Sequence, residues 1–156
     1  MKKSLSLGLF AAGVLMAGAA QAENVDFNST LLNTCLISVS TPGTLGVSGD
    51  GTTLGSESGG VAATLSVTST GSNTISISAP ALQQAPGSYD PSGEVVAISY
   101  TGVSGLSSVN QAYTSSATSF GVGVVASSSL VFNAQVTNAN GFPAGDYELR
   151  TVVTCE

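Results

Sequence analysis

The chain has no histidine and no tryptophan, and charged residues of either sign are scarce. Histidine is the commonest general base and the commonest metal ligand, so its absence removes the usual centre of acid–base and zinc chemistry. The many serines have no histidine to activate them, and no G-x-S-x-G turn is present. The sequence therefore predicts a protein that is not an enzyme, with no catalytic residue, cofactor or metal.

Two chemical alternatives rest on the scattered carboxylates. Glycosidases pair carboxylates from distant strands, but this chain has no tryptophan to stack on a sugar. The segments "GDG" at Gly49–Gly51 and "YDPSG" at Tyr89–Gly93 could offer oxygen ligands to calcium, yet neither matches a complete calcium loop. Asp and Gly also suit tight turns, and we interpret both segments as turns.

Lysine is confined to Lys2 and Lys3, ahead of an apolar run that ends in "AQA" at Ala20–Ala22. A charged start, an apolar core and small residues at the end are typical of a secretory signal peptide. The apolar core is shorter than the roughly 20 residues that a membrane-spanning helix needs. We predict that residues 1–22 are a signal peptide, that the protein is exported through the periplasm, and that no membrane span follows.

Cleavage after Ala22 would leave Arg150 as the only positive side chain against nine acidic residues, a formal charge of −8. Proteins bind phosphates and anionic lipids mainly through clustered Lys and Arg. The sequence therefore predicts that nucleic acid is not a partner.

Apolar and polar residues alternate in short segments that are separated by Gly-, Ser- and Asn-containing turns. Period-two alternation with β-branched residues is typical of half-buried strands. The sequence predicts an all-β fold, an immunoglobulin-like sandwich of two sheets with six or seven antiparallel strands, over residues 35–156. The predicted strands lie in 61–69, 74–78, 94–102, 119–126, 130–136 and 145–155.

The chain has two cysteines, Cys35 and Cys155, and each falls on the apolar face of its predicted strand. In an exported protein two cysteines indicate a disulfide. The alternative is a reactive thiol pair, but there is no C-x-x-C spacing and no basic neighbour to lower a thiol pKa. A bridge between them would close nearly the whole mature chain into a ring, a constraint of roughly 5 kcal/mol on the unfolded state.

Ahead of this ring lies "ENVDFNSTLLNTC", in which Val25, Phe27, Ser29 and Leu31 share one face. An extended segment can add to the sheet edge of another molecule, with alternate side chains filling pockets. Such a contact joins subunits head to tail and does not close on itself, so it produces a fibre. Residues 23–34 are therefore a candidate donor strand, with these four residues as the ones inserted.

Both ends of the mature chain carry short motifs: the alternating tail, "NTC" with the following "TPGTL", and "FPAGDYELRTVVTC" at Phe142–Cys155. In these segments the chain resembles archaic chaperone–usher pilins and the related spore coat protein U-like domains. The resemblance implies a structural subunit of a surface fibre, whose N-terminal strand completes the sandwich of the next copy. It also implies a periplasmic chaperone and an outer-membrane usher as partners. Pilins usually bridge their first two long strands, so a bridge to Cys155 would be a departure.

The alternative keeps the sandwich without the fibre. Val25–Leu31 would then be an ordinary first strand that folds back onto its own sheet. The protein would be a self-complete exported or outer-surface monomer of unknown binding role.

Overall fold

The computed structural model describes residue 29 and residues 33–104, 107–123 and 126–156. All regular elements in these ranges are strands, which confirms the predicted all-β fold. They are β1 (Thr34–Thr41), β2 (Gly46–Val47), β3 (Thr53–Gly55), β4 (Ala63–Thr70), β5 (Asn73–Ile77), β6 (Ala81–Gln84), β7 (Val95–Ser104), β8 (Ser107–Thr114), β9 (Thr118–Val122), β10 (Ala126–Thr137), β11 (Glu148–Arg150) and β12 (Val153–Cys155). The predicted signal peptide, 1–22, lies outside the described residues.

Strand β10 is the centre of a seven-stranded antiparallel sheet. Along one side it pairs with β7, which in turn pairs with β8. On its other side, the first half of β10 pairs with β4 and the second half with β3. Strand β1 borders β4, and β2 borders β3. The edge of the sheet beyond β4 and β3 is therefore built by the chain from Thr34 to Val47.

The second layer is a ribbon in which β12 pairs with β5 and β11 pairs with β6, and β9 pairs with the other side of β5. Residues 151–152 separate β11 from β12, but Ser78 bridges this break. Its hydroxyl accepts a hydrogen bond from the Val152 N–H at 2.8 Å, and its backbone N–H donates to the Val152 carbonyl at 2.9 Å. The segment 148–155 therefore acts as one edge strand, as the sequence predicted.

The two layers enclose a core whose side chains come from alternate positions of the longer strands. Leu130, Phe132 and Val136 of β10 are buried, and Ile75 and Ile77 of β5 face them from the other layer. This alternation fixes which face of each strand points inward, because a shift of one residue would turn every apolar side chain to solvent. The structure is a β-sandwich, with more and shorter strands than the six or seven predicted.

The predicted disulfide is confirmed: Cys35 of β1 is bonded to Cys155 of β12. It joins the first strand to the last and links an edge of the larger sheet to an edge of the second layer. Among the described residues, no helix is long and apolar enough to cross a bilayer.

Candidate functional site: an open groove between the first and last strands

Two edge strands of the sandwich each have one side without a pairing strand. Within the described residues, β1 pairs only with β4, and the edge strand formed by β11 and β12 pairs only with β6 and β5. Between these free edges the core opens to solvent in a groove of about 950 Å³. In the part of the chain that the structure describes, the strand edges on both sides of the groove have no β-ladder partner across it, as at the edges of an open sheet.

The groove is lined mainly by apolar side chains. Its floor is formed by buried core residues, among them Leu65, Ile98 and Phe132. One wall carries Ile37 of β1, and the opposite wall carries Leu149 of β11. Inserted side chains would therefore meet hydrocarbon on three sides.

Three valines that line the groove are exposed to solvent. Val39 is 62% exposed, Val47 57% and Val61 51%, although all three border the core. Val67, one strand away from β1 in the same sheet, is fully buried. Scattered exposed apolar residues are common, but a contiguous apolar strip along a cleft indicates a binding surface.

The disulfide closes one end of the groove. The Cα atoms of Cys35 and Cys155 lie 6.1 Å apart. A strand placed between two others needs about 9.5 Å between them, because neighbouring strands are spaced at about 4.8 Å. No strand fits between β1 and β12 at this point, so the groove has a closed end at the disulfide and an open end near Tyr147.

The start of β1 is held firmly at the closed end. The Asn73 side-chain amide donates to the Thr34 carbonyl at 3.3 Å and to the Ser69 hydroxyl at 2.6 Å. The Thr34 N–H donates to the Thr70 hydroxyl at 3.2 Å. Strand β1 therefore begins at the closed end, next to the disulfide, and runs towards the open end.

Three aromatic rings hold the open end. Tyr89 stacks on Phe142 with ring centroids 5.6 Å apart, and Tyr147 packs edge-on against both. The buried amide of Asn138 donates to the Tyr89 hydroxyl at 3.0 Å, and this hydroxyl donates to Glu94 at 2.6 Å. Burial, followed by the hydrogen bond to Glu94, raises the pKa of Tyr89 to about 12. This cluster fixes the segment that leads into β11.

The turns that were weighed as calcium loops are held by their own carboxylates. Asp50 accepts hydrogen bonds from the Ser48 hydroxyl and the Thr52 N–H, and these bonds lower its pKa. Asp90 accepts a hydrogen bond from the Ser92 N–H at 2.9 Å, which lowers its pKa as well. Among the described residues, no three Cys, Asp or Glu side chains lie close enough together to hold a metal ion.

Of the four predicted insertion residues, Ser29 is exposed and lies outside any strand. Val25, Phe27 and Leu31 lie outside the described residues. The donor segment was predicted to reach residue 34, and the structure places Thr34 in β1. The part that can pair elsewhere, residues 23–33, is called the tail below.

The sequence reasoning missed the groove itself and the part of its wall that continues β1. No strand was predicted between residues 43 and 61, yet the edge continues through the bridge between Thr44 and Val61 to β2. The available signal was the pair Leu45 and Val47, two apolar residues of one parity just beyond "TPG". A Cβ atom at Gly46 or Gly60 would collide with the facing backbone, so glycine permits the close approach there.

No protein-family model, curated protein or solved structure matches this chain.

Proposed function

We propose that the protein is a non-catalytic structural subunit of an exported surface fibre, in which the tail of one copy fills the groove of the next. The observation that carries this proposal is the open, mainly apolar groove. The same chain has, ahead of Cys35, a segment in which apolar and polar residues alternate. A strand added in the groove would pair with free edges on both sides and cover Val39, Val47 and Val61.

The tail suits the groove in length and pattern. Residues 23–32 would extend over about 33 Å at 3.3 Å per residue. The edge that borders the groove runs from Ile37 to Val47, which is a similar number of residues. Alternate tail side chains would point onto the floor, and those between them would face solvent.

The position of the disulfide favours a strand that comes from a second copy. A tail that filled its own groove would have to reverse direction directly ahead of Thr34 and pass around the Cys35–Cys155 bridge. A tail from a second copy meets no such obstacle when the body of that copy sits at the open end. Insertion between different copies is therefore favoured over the self-complete monomer.

The same obstacle sets the direction of the inserted strand. Because the donor's body must remain at the open end, the N-terminus of its tail points towards the disulfide. The tail then runs parallel to β1, which starts at the closed end, and antiparallel to β11 and β12, which finish there.

The resemblance to chaperone–usher pilins extends this proposal to the cell. A groove of this kind exposes apolar surface until a neighbour arrives, and such surface promotes aggregation. A periplasmic chaperone that covers the groove and an outer-membrane usher that exchanges it for a tail would solve that problem. The proposed location is the periplasm in transit and the cell surface afterwards.

The test is the size distribution of the mature chain, residues 23–156, after refolding. We expect a ladder of oligomers by size-exclusion chromatography, and Phe27→Asp should reduce it to one small species because a charge would enter an apolar groove. Asn24→Asp is the matched control, since position 24 would face solvent in the inserted strand, and it should assemble normally. A single small species from the unaltered chain, destabilised by Phe27→Asp, would instead identify the self-complete monomer.

A further inference from the structure

The wall of the groove opposite β1, formed by β11 and its neighbouring residues, is called the far wall. Its charged side chains lie in one row. All six residues from Asp146 to Thr151 border the groove; Asp146, Glu148 and Arg150 are exposed and alternate with the half-buried Tyr147, Leu149 and Thr151. Arg150 donates to Glu148 at 2.6 Å, and both side chains remain about half exposed. After signal cleavage, Arg150 is the only positive side chain in the chain.

The tail carries a matching row. Its odd positions hold the residues proposed to enter the groove, so its even positions would face solvent in the inserted strand. The even positions are Asn24, Asp26, Asn28 and Thr30, one acid among neutral side chains. In an antiparallel joint they would lie beside the even positions of the wall, which include the exposed Glu148 and Arg150.

We propose that an ion pair between Asp26 of the incoming tail and Arg150 of the receiving subunit sets the register of the joint. This inference rests on the proposed function and specifies its geometry. In an antiparallel pairing, Asp26 beside Arg150 places Asn28 beside Glu148 and Thr30 beside Asp146. No like charges then face one another. The five-donor guanidinium of Arg150 can hold Glu148 and Asp26 together.

Other registers are disfavoured for two different reasons. A slip of one residue would turn Phe27 to solvent, so only slips of two residues keep the apolar face inward. A slip towards the open end places Asp26 beside Glu148, and like charges directly opposite destabilise a strand pair. A slip towards the closed end places Glu23 beside Cys155, where the disulfide leaves no room for a strand. One register satisfies both constraints.

The pair contributes specificity more than strength. Exposed ion pairs contribute little to affinity, whereas rim charges govern the rate of encounter and discriminate against wrong partners. The burial of Phe27 and Leu31 is expected to hold the joint together, and the charges select where the strand stops.

The test is a charge exchange in the mature chain. Asp26→Arg alone places Arg against Arg150, and Arg150→Glu alone places Asp26 against Glu. Each variant should assemble roughly fivefold more slowly than the unaltered chain at low salt. The double variant should recover, because the pair is reversed. An equimolar mixture of the two single variants should recover as well, since every joint between unlike chains pairs opposite charges.

Three controls separate register from general effects. The neutral variants Asp26→Asn and Arg150→Gln should show smaller losses. Ser108→Arg, on the exposed strand β8, should assemble normally. At 1 M salt, where the Debye length is about 3 Å, the differences should vanish. The proposal is wrong if only Arg150→Glu assembles slowly and its thermal unfolding midpoint is lower than that of the unaltered chain. The charge of Arg150 would then stabilise the domain itself.

The outcomes also distinguish this inference from the proposed function. The proposed register would be wrong if the single variants assembled as fast as the unaltered chain, or if their mixture stayed slow. Neither result would contradict the proposed fibre. An unaltered chain that forms no oligomers would overturn both.

Discussion

On the flank of the sandwich formed by β8 and β9, the chain passes directly from one layer to the other, and side chains join the layers across it. The Tyr100 hydroxyl donates to Thr118 at 2.8 Å, and the ring of Tyr100 packs against Phe120 and Phe132. On the opposite flank, β1 and β12 are joined by one disulfide, and beyond it the groove is open. One flank is closed by contacts between the chain's own side chains, and the other is open beyond the disulfide.

The difference shows where the stability of the domain resides. The buried core of Leu65, Val67, Ile75, Ile77 and Leu130 lies between the layers, whereas Val39 and Val47 on the groove edge stay more than half exposed. An unoccupied groove lacks the transfer free energy of its apolar walls, about 25 cal/mol for each Å² left exposed. The joint between copies is thus expected to be stabilised by the same effect that folds the domain.

Removal of the disulfide is expected to have the largest effect on the isolated subunit. Cys35→Ser should lower the free energy of unfolding by up to about 5 kcal/mol, because the closed loop spans a sequence separation of 120 residues. Urea denaturation measures the loss. Cys155→Ser and the double variant are the controls and should match it, since each removes the same bond. An unchanged unfolding midpoint would show that the stability of the domain does not depend on the disulfide.

A pair of equal substitutions compares the buried and the exposed part of one sheet. Val67→Ala should lower the free energy of unfolding of the isolated subunit by about 2 kcal/mol, because a fully buried valine contributes 1.5–3 kcal/mol. Val39→Ala should change it by less than about 0.5 kcal/mol and weaken assembly instead.

Chemical denaturation of the monomeric Phe27→Asp chain and sedimentation of assembled chains measure the two effects. If Val39→Ala destabilised the isolated subunit as much as Val67→Ala does, the groove would already be filled from within.

The smallest expected effect concerns the aromatic cluster at the open end. Since the folded pKa of Tyr89 is raised to about 12 from the ordinary value of 10, its stabilising contribution is complete below pH 10. It is lost as the pH rises from 10 through 12. Denaturation at a series of alkaline pH values should show this decline, and Tyr89→Phe should reduce it. If the free energy of unfolding begins to decline well below pH 10, groups other than Tyr89 cause the decline.

The sequence predicted the parts of the fold that depend on alternation and parity. Strands β4, β5 and β10 lie within or close to the predicted segments, and the inward parity of Cys35 and Cys155 was sufficient to predict their bond. Strand β8 was not predicted because only Val109 and Tyr113 stand among polar residues on the inward face of "SSVNQAYT", which is a weak alternation. Its position is set by pairing with β7, which no local pattern encodes.

The groove could not be predicted as a cavity, because an unfilled position between two strands leaves no pattern of its own. The tail pointed to it only indirectly, through Phe27 and its alternating neighbours ahead of Cys35. Three-dimensional structure was needed to show that the exposed Val39 and Val47 lie along one cleft and that the disulfide closes one end of it.

The most direct measurement asks whose groove a tail occupies. A heavy-isotope-labelled mature chain with a photoreactive phenylalanine analogue at Phe27 is refolded together with unlabelled, unaltered chain and then irradiated. We predict cross-links from position 27 to segments around Leu149 and Ile37, with labelled tails joined to unlabelled grooves. The account would be contradicted if position 27 formed cross-links at these sites only within single labelled chains, and if the protein ran as particles of one small size.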